Sequence, residues 1–571
     1  MARRLFRLLT GALTSLLFSL FWLSPAQAAP LSVVKPAVSC DSLQQFDLTT
    51  IGGKGSRVTA ATLTTINHTE WCKVEGTLAP EIGFRLLLPT QSWNQRFMQL
   101  GCGGLCGSIN LQPGAAAGCA PLNSNGFAVA ATDMGHKESE QDWGNDPQKR
   151  QDFAWRGQHL TAVAAKALIA AFYQQKAAWS YFNGCSDGGR EALMEAQRFP
   201  EDFNGVIAGA AAMNFQVQNA MYHAWQVVSN HDANGKALIV AQDLPLIHQA
   251  VLTQCDALDG QKDGLIAAPE ACHPDLNVLA CKANQTENCL NPAQLGALRK
   301  LYDGPRDSKT GQRLIVGGPQ YGSELAWAGV FIPQQADQPV MSEMISLASL
   351  RYVNFKTNPA SDFALKDVKF DEATFKKLSE LHPLYDATNP DLRAFARAGG
   401  KLIIWHGWAD PHISPLNSIA YHHALGKELG NTQRDAFERL YLLPGVYHCS
   451  NGEGPSLVDF LTPMMNWVED GKAPDAVVTH QAAPQQHNSF GQPTGAGGKP
   501  PMMMQRNDLQ LETIPAGAAS RPIYPYPEYA VWNGKGDEKQ AANYVRKTLP
   551  VIHSHYIWAG EAFYQPYHFA Q

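Results

Sequence analysis

Beyond its first few dozen residues the chain has no apolar run long enough to span a bilayer. It has no basic cluster, no internal repeat and no second pair of cysteines or histidines at zinc spacing. Each absence removes a class of protein. A transmembrane helix needs an uninterrupted apolar stretch of about 20 residues, so the body of the chain has no membrane anchor. Only 17% of residues are charged and the formal net charge is −6, which offers a phosphate backbone no cationic face and argues against nucleic acid as a partner. Cys102-x3-Cys106 and Cys185-Ser186-Asp187 lack a complementary ligand pair, which argues against zinc at either.

What is present begins with an export pattern. Arg3, Arg4 and Arg7 precede an apolar stretch over 8–23, and Ala26-Gln27-Ala28 follows as a small-x-small cleavage site. Residues 1–28 therefore read as a signal peptide, with a secreted or periplasmic destination and no stable membrane anchor. Losing those three arginines moves the net charge from −6 to −9. Eleven cysteines in an exported chain imply disulfides, and the odd number leaves one thiol over. Cys255 with Cys272 and Cys281 with Cys289 are spaced as short local staples. The remaining length, about 540 residues, exceeds one hydrophobic core and predicts two domains.

Short apolar segments at 85–88, 96–100 and 127–131, an Ala-rich helix over 160–172 and a further strand at 205–208 make residues 29–210 read as alternating strands and helices. That alternation predicts an α/β fold with a mostly parallel sheet. From 211 to 395 the pattern changes to helical stretches, a cysteine-rich loop and polar turns, and a buried strand returns only at 401–405. Residues 211–395 are thus expected to be a lid inserted between core strands, with 396–571 completing the core. The Gly/Pro-rich stretch 491–504 reads as a loop.

The most informative motif is Gly184-Cys185-Ser186-Asp187-Gly188. It fits G-x-S-x-G, with a β-rich run before it and a helical pattern after it, the setting of a nucleophile elbow. Serine needs a base within hydrogen-bond reach and an acid to orient that base. In α/β-hydrolases these follow in the order serine, acid, histidine. Asp410 lies just past the strand 401–405, and His448 lies in a loop after the apolar strand 439–443. His406 and His412 compete as base, but both sit beside the candidate acid. Cys185 precedes the serine and Cys449 follows the histidine, so a Ser186–His448 contact would bring two cysteines to bonding distance. The N–H of Asp187 is the expected oxyanion donor, with Gly104 of Gly101-Cys102-Gly103-Gly104 as the second. A further loop, 255–265, places Asp256, Asp259 and Asp263 among glycines; it is similar to the start of an EF-hand without its closing glutamate.

Together, Gly184-Cys-Ser-Asp-Gly-Gly-Arg190, His406-Gly-Trp-Ala-Asp-Pro411, the His448-Cys449 pair, Thr132-Asp-Met-Gly-His136 and Arg521-Pro-Ile-Tyr-Pro-Tyr-Pro527 resemble the tannase/feruloyl esterase family. The resemblance implies an α/β-hydrolase core with a large lid. It places nucleophile, acid and base at Ser186, Asp410 and His448, and a clamp disulfide at Cys185–Cys449. It also implies structural Ca²⁺ held by the side chains of Asp256, Asp259 and Asp263 and the carbonyls of Gln261 and Leu265. The substrate it implies is a small ester of an aromatic acid, feruloyl, galloyl or terephthalic in kind. Arg351 in the lid is a candidate for a carboxylate or phenol, an exposed arginine being the plainer reading. Cys102 and Cys106 depart from the family pattern, and Cys119 paired with either would stiffen that loop; the partners of Cys40, Cys72, Cys102, Cys106 and Cys119 stay open. Other readings are an esterase of lipids or polyesters, a serine carboxypeptidase-like peptidase, and a hydrolase-like binding protein without turnover. Oligomeric state has no sequence signal.

Overall fold

A nine-stranded sheet organises the chain. Its strands are β1 (Arg57–Ile66), β2 (Thr69–Leu78), β3 (Ile82–Pro89), β4 (Arg96–Leu100), β5 (Phe127–Thr132), β6 (Trp179–Cys185), β7 (Gly205–Gly209), β8 (Lys401–Gly407) and β9 (Glu438–Leu443). The computed structural model describes residues 31–483, 492, 509, 511–548 and 558–570. The expected signal peptide, and the 491–504 loop apart from Gln492, lie outside the described residues.

The sheet order is β1-β2-β3-β5-β4-β6-β7-β8-β9. From β5 to β9 every neighbouring pair is parallel. These strands are buried along most of their length because both faces are covered. Val206 and Ala208 of β7 enter one core with helices α1 (Gly157–Tyr173) and α2 (Asp187–Arg198). Ile207, pointing the other way, joins Met98, Trp405 and Met464 in a second core on the opposite face.

The first three strands differ from the alternation read in the sequence. No helices separate them; β1, β2 and β3 form an antiparallel meander that joins the sheet through β5. Only one face of β1 is buried in this edge position, so polar residues alternate along it. The β1–β2 hairpin turns on Asn67 and His68, with φ of 49° and 61°. That two-residue turn with both φ positive matches the strand twist, but Asn-His is a weaker signal for it than Asn-Gly.

Between β7 and β8 the chain leaves the sheet for nearly 200 residues and returns to the adjacent strand. This excursion contains α3 (His223–Ser229), α4 (Leu244–Cys255), α5 (Pro292–Asp303) and α6 (Met341–Tyr352). Asn291 starts α5 by accepting from the Ala293 and Gln294 amides, and Pro292 fills the first position, where no amide is required. Cys255–Cys272 and Cys281–Cys289 staple the loops between α4 and α5. A core of Leu244, Ile247, Leu298 and Trp327 fills the excursion, and Ala409 and Tyr447 from the loops after β8 and β9 enter it.

The glycines flanking Ser186 are required by close backbone approach. A Cβ on Gly184 would lie 2.3 Å from the carbonyl oxygen of Gly188, and one on Gly188 would lie 2.8 Å from that of Cys102. Backbone cannot rotate away as a flexible side chain can. Gly184→Ala is expected to lower stability in urea unfolding by about 1–3 kcal/mol, the usual cost of overpacking; an unchanged midpoint would contradict this close-packing argument.

Candidate active site

Ser186 sits between β6 and α2 with φ 65° and ψ −122°, a backbone conformation sparsely populated outside glycine. The turn is held by the Ser186 N–H donating to Gly209 O (3.0 Å) and the Ala212 N–H donating to Ser186 O (3.0 Å). Asp410 follows β8 and His448 follows β9, so all three residues lie past the carboxyl ends of parallel strands, where α/β folds place ligands. The structure brings them into one line. His448 Nε2 is 2.8 Å from Ser186 Oγ, and His448 Nδ1 is 2.7 Å from Asp410 Oδ2. Cys185 and Cys449 form a disulfide beside them, with Cα atoms 6.0 Å apart.

Asp410 is fully buried and heavily bonded. Its Oδ1 accepts from the amides of His412 (2.8 Å) and Ile413 (3.0 Å). Its Oδ2 faces both His448 and His406, the latter at 3.1 Å. Burial pushes the carboxyl upward, but His448 and His406 outweigh that and hold it well below the usual carboxylate range. His406 and His412, the rival bases, take other places. His406 lies between Asp410 and Ser418 Oγ (2.8 Å), and the His412 ring packs 4.9 Å from that of His448.

Several residues without a sequence signal support this line. Gln226 of α3 donates to Pro411 O (3.0 Å) and Gln218 donates to His412 O, so the excursion grips the loop carrying Asp410. His223 bonds Ser342 Oγ (2.9 Å); burial, then the neighbouring His412 and His448, press its pKa down to about 3 and keep it neutral. Glu191 of α2 accepts from the Cys102 amide (3.1 Å) and from Gln158 Nε2 (2.5 Å). Burial, then the charge of Asp187, raises the Glu191 carboxyl well above its ordinary range. Glu191 lies one residue past the quoted motif, and nothing local marks it.

The Asp187 side chain is turned away to Arg190, with contacts of 2.6 and 3.0 Å, while its N–H heads α2, where no carbonyl four residues back is available. Gly104 has φ 62° and lies in a turn closed by the Cys106 N–H donating to Gly103 O (3.0 Å). Cys119 does not pair there. Cys102 bonds Cys106, Cys40 bonds Cys72, and Cys119 is a free thiol buried among the apolar side chains of the sheet's second face. The pairings that the sequence left open are thereby assigned, and the thiol left over is Cys119.

Arg351 is half-buried at the end of α6, and its Nε donates to Phe363 O (2.7 Å). It makes no hydrogen bond to Ser186, Asp410 or His448. In the acidic loop, the amides of Gln261 and Leu265 donate to Asp259 Oδ1 and Asp263 Oδ1, each at 3.1 Å. The Gly264 amide faces both oxygens of Asp256 at 3.2 and 3.3 Å. Arg521 donates to Asp259 Oδ2 (2.5 Å) and Asp263 Oδ2 (2.9 Å). Burial lifts the carboxyls of Asp256 and Asp259, and the charge of Asp263 adds to both. The side chains here offer oxygen only, the donor type a hard cation such as Ca²⁺ takes, but among the described residues the three carboxylates do not come within 4.8 Å of one another, and Arg521 pairs with two of them.

The sequence matches the family described as tannase and feruloyl esterase over residues 64–547. Among curated relatives, mono(2-hydroxyethyl) terephthalate hydrolase of Piscinibacter sakaiensis is 32% identical, covering 84% of this chain and 85% of its own. Feruloyl esterase B of Aspergillus niger is 31% identical over 67% of this chain and 74% of its own. Among solved structures, feruloyl esterase B from Aspergillus oryzae superposes with a TM-score of 0.73 at 24% identity, covering 89% of this chain and all (100%) of that one. This likeness establishes a shared mixed α/β fold with a large, mostly parallel sheet. The chain is a carboxylic ester hydrolase. It belongs to the tannase and feruloyl esterase family.

The Cys185–Cys449 bond closes a loop of 264 residues, so its removal releases much chain entropy in the unfolded state. Cys185→Ala/Cys449→Ala is expected to cost about 2–5 kcal/mol in denaturant unfolding. An unaltered unfolding midpoint would mean that packing alone holds the two loops together.

Proposed function

We propose that the protein is an exported serine esterase acting on esters of aromatic carboxylic acids. The reading is carried by the continuous Ser186–His448–Asp410 hydrogen-bond line, with contacts of 2.8 and 2.7 Å. His448 Nε2 takes the Ser186 proton as Oγ attacks the ester carbonyl, forming the C–O bond of a tetrahedral intermediate. His448 returns that proton to the departing alkoxide. Asp410 fixes the imidazole orientation and stabilises its cationic form. The backbone N–H groups of Asp187 and Gly104 receive the oxyanion. Water, deprotonated by the same histidine, then releases the acid and restores Ser186.

The aromatic acyl group is inferred from the relatives, whose names specify feruloyl and terephthalate esters. Residues 211–395 act as the lid that selects this group, with Arg351 as the candidate for its carboxylate or phenol. Export is inferred from the 1–28 pattern and is supported by five disulfides. Asp256, Asp259, Asp263 and the carbonyls of Gln261 and Leu265 would hold Ca²⁺, which when bound supplies charge neutralisation to the loop. These residues cross-link α4 to the C-terminal segment through Arg521.

The test is a panel of feruloyl, galloyl, terephthaloyl and short-chain nitrophenyl esters, with a C-terminal peptide as control. Aromatic esters should show the highest kcat/KM, and Ser186→Ala should lower it by about 10⁴-fold or more with the fold intact. Peptide cleavage, or turnover surviving in Ser186→Ala, would refute the assignment. Chelation of Ca²⁺ should lower the thermal midpoint by roughly 2–5 °C, and Asp263→Asn should abolish that response; a chelator-insensitive wild type would remove calcium from the account.

A further inference from the structure

Behind the nucleophile helix a second group of titratable side chains converges, outside the machinery described above. His159 comes from the first turn of α1, Glu195 from the last turn of α2, and Asp202 from the turn leading to β7. One nitrogen or oxygen from each lies within 4.8 Å of the others. His159 Nδ1 is 2.7 Å from Asp202 Oδ2. Phe199 stacks on the imidazole with centroids 3.7 Å apart and fixes the ring plane. Glu195 forms the floor: it is 1% exposed, and neither carboxyl oxygen has a hydrogen-bond donor. His159 and Asp202 form the rim, with side chains 25% and 15% exposed, so solvent reaches the cluster from one side.

A buried carboxyl without a donor is costly unless something supplies positive charge. Lys166 lends charge but no hydrogen bond to Glu195: its ammonium donates to the Asp202 carbonyl and lies 3.7 Å from Asp202 Oδ1. We propose that His159, Glu195 and Asp202 bind one divalent cation of borderline character, Zn²⁺ or its surrogate Co²⁺. One imidazole nitrogen and two carboxylates make a three-ligand site with a coordination position open to water. Ca²⁺ and Mg²⁺ prefer oxygen-only sites with more ligands, so the imidazole discriminates against the cation of the acidic loop. Glu195 lies eight residues past Asp187, about 12 Å along the helix, so the ion does not touch the reacting atoms. Its effect is to tie α1, α2 and the approach to β7 behind the elbow.

Ligand protons must leave as the ion enters. Burial first, and then Asp202, raise the Glu195 carboxyl well above its ordinary range; Glu191 adds to this and Lys166 opposes it. With His159 also required neutral at its ligating nitrogen, zinc affinity should rise with pH. The plain alternative is a metal-free cluster in which Glu195 shares a proton with Asp202.

The experiment uses the full mature chain loaded with Ca²⁺. Zinc binding is followed by calorimetry and metal analysis, and the coordination sphere by the visible absorption of the Co²⁺ form. The wild type should take up one Zn²⁺ with a rise in thermal midpoint. His159→Ala and Glu195→Gln should each weaken this binding roughly tenfold or more, with ester hydrolysis retained. Absence of zinc uptake by the wild type, or equal uptake by both variants, would overturn the proposal in favour of the shared proton. If Glu195→Gln fails to fold, the rim variant His159→Ala decides alone.

Discussion

The imidazole of His448 has both nitrogens committed, one to the buried carboxylate of Asp410 and one to the hydroxyl of Ser186. That double commitment is the constraint on which the rest depends. It requires loops after three different strands to meet within hydrogen-bond distance. It also requires Asp410, fully buried, to remain charged, which the amides of His412 and Ile413 and the ring of His406 make tolerable. The Cys185–Cys449 bond supplies the same constraint covalently, joining the residue before the serine to the residue after the histidine.

The sheet makes the meeting possible. β6, β8 and β9 run parallel with only β7 between β6 and β8, so their carboxyl ends share one edge. The excursion between β7 and β8 then fastens the loops from above. Gln218 and Gln226 hold the acid loop by its carbonyls, and Ala409 and Tyr447 sit in the excursion's own core. The placement of Asp410 and His448 is therefore coupled to the packing of that region.

Features decided by short-range geometry were readable in the sequence. The elbow around Ser186 follows from a strand, a tight turn and a helix adjacent in the chain, and β5, β7 and β8 were marked by unbroken apolar runs. Features decided by distant partners were not readable. β1 and β2 are half-exposed and mix polar with apolar residues, and their hairpin turns on Asn67-His68 rather than a glycine pair. The Cys102–Cys106 bond closes a loop of four residues, and nothing in the spacing favoured it over a bridge to Cys119. Glu191, His223 and Gln226 acquire their roles only when α2 and α3 are laid against loops far away in sequence.

The most direct measurement is covalent labelling with a fluorophosphonate ester, followed by intact mass and peptide mapping. Such a probe reacts with a serine only when a neighbouring base removes its proton and donors receive the developing charge. The account predicts one adduct per chain, located on Ser186 and absent after Asp410→Asn or His448→Ala. A protein that stays unlabelled, or labels at another serine, would contradict it.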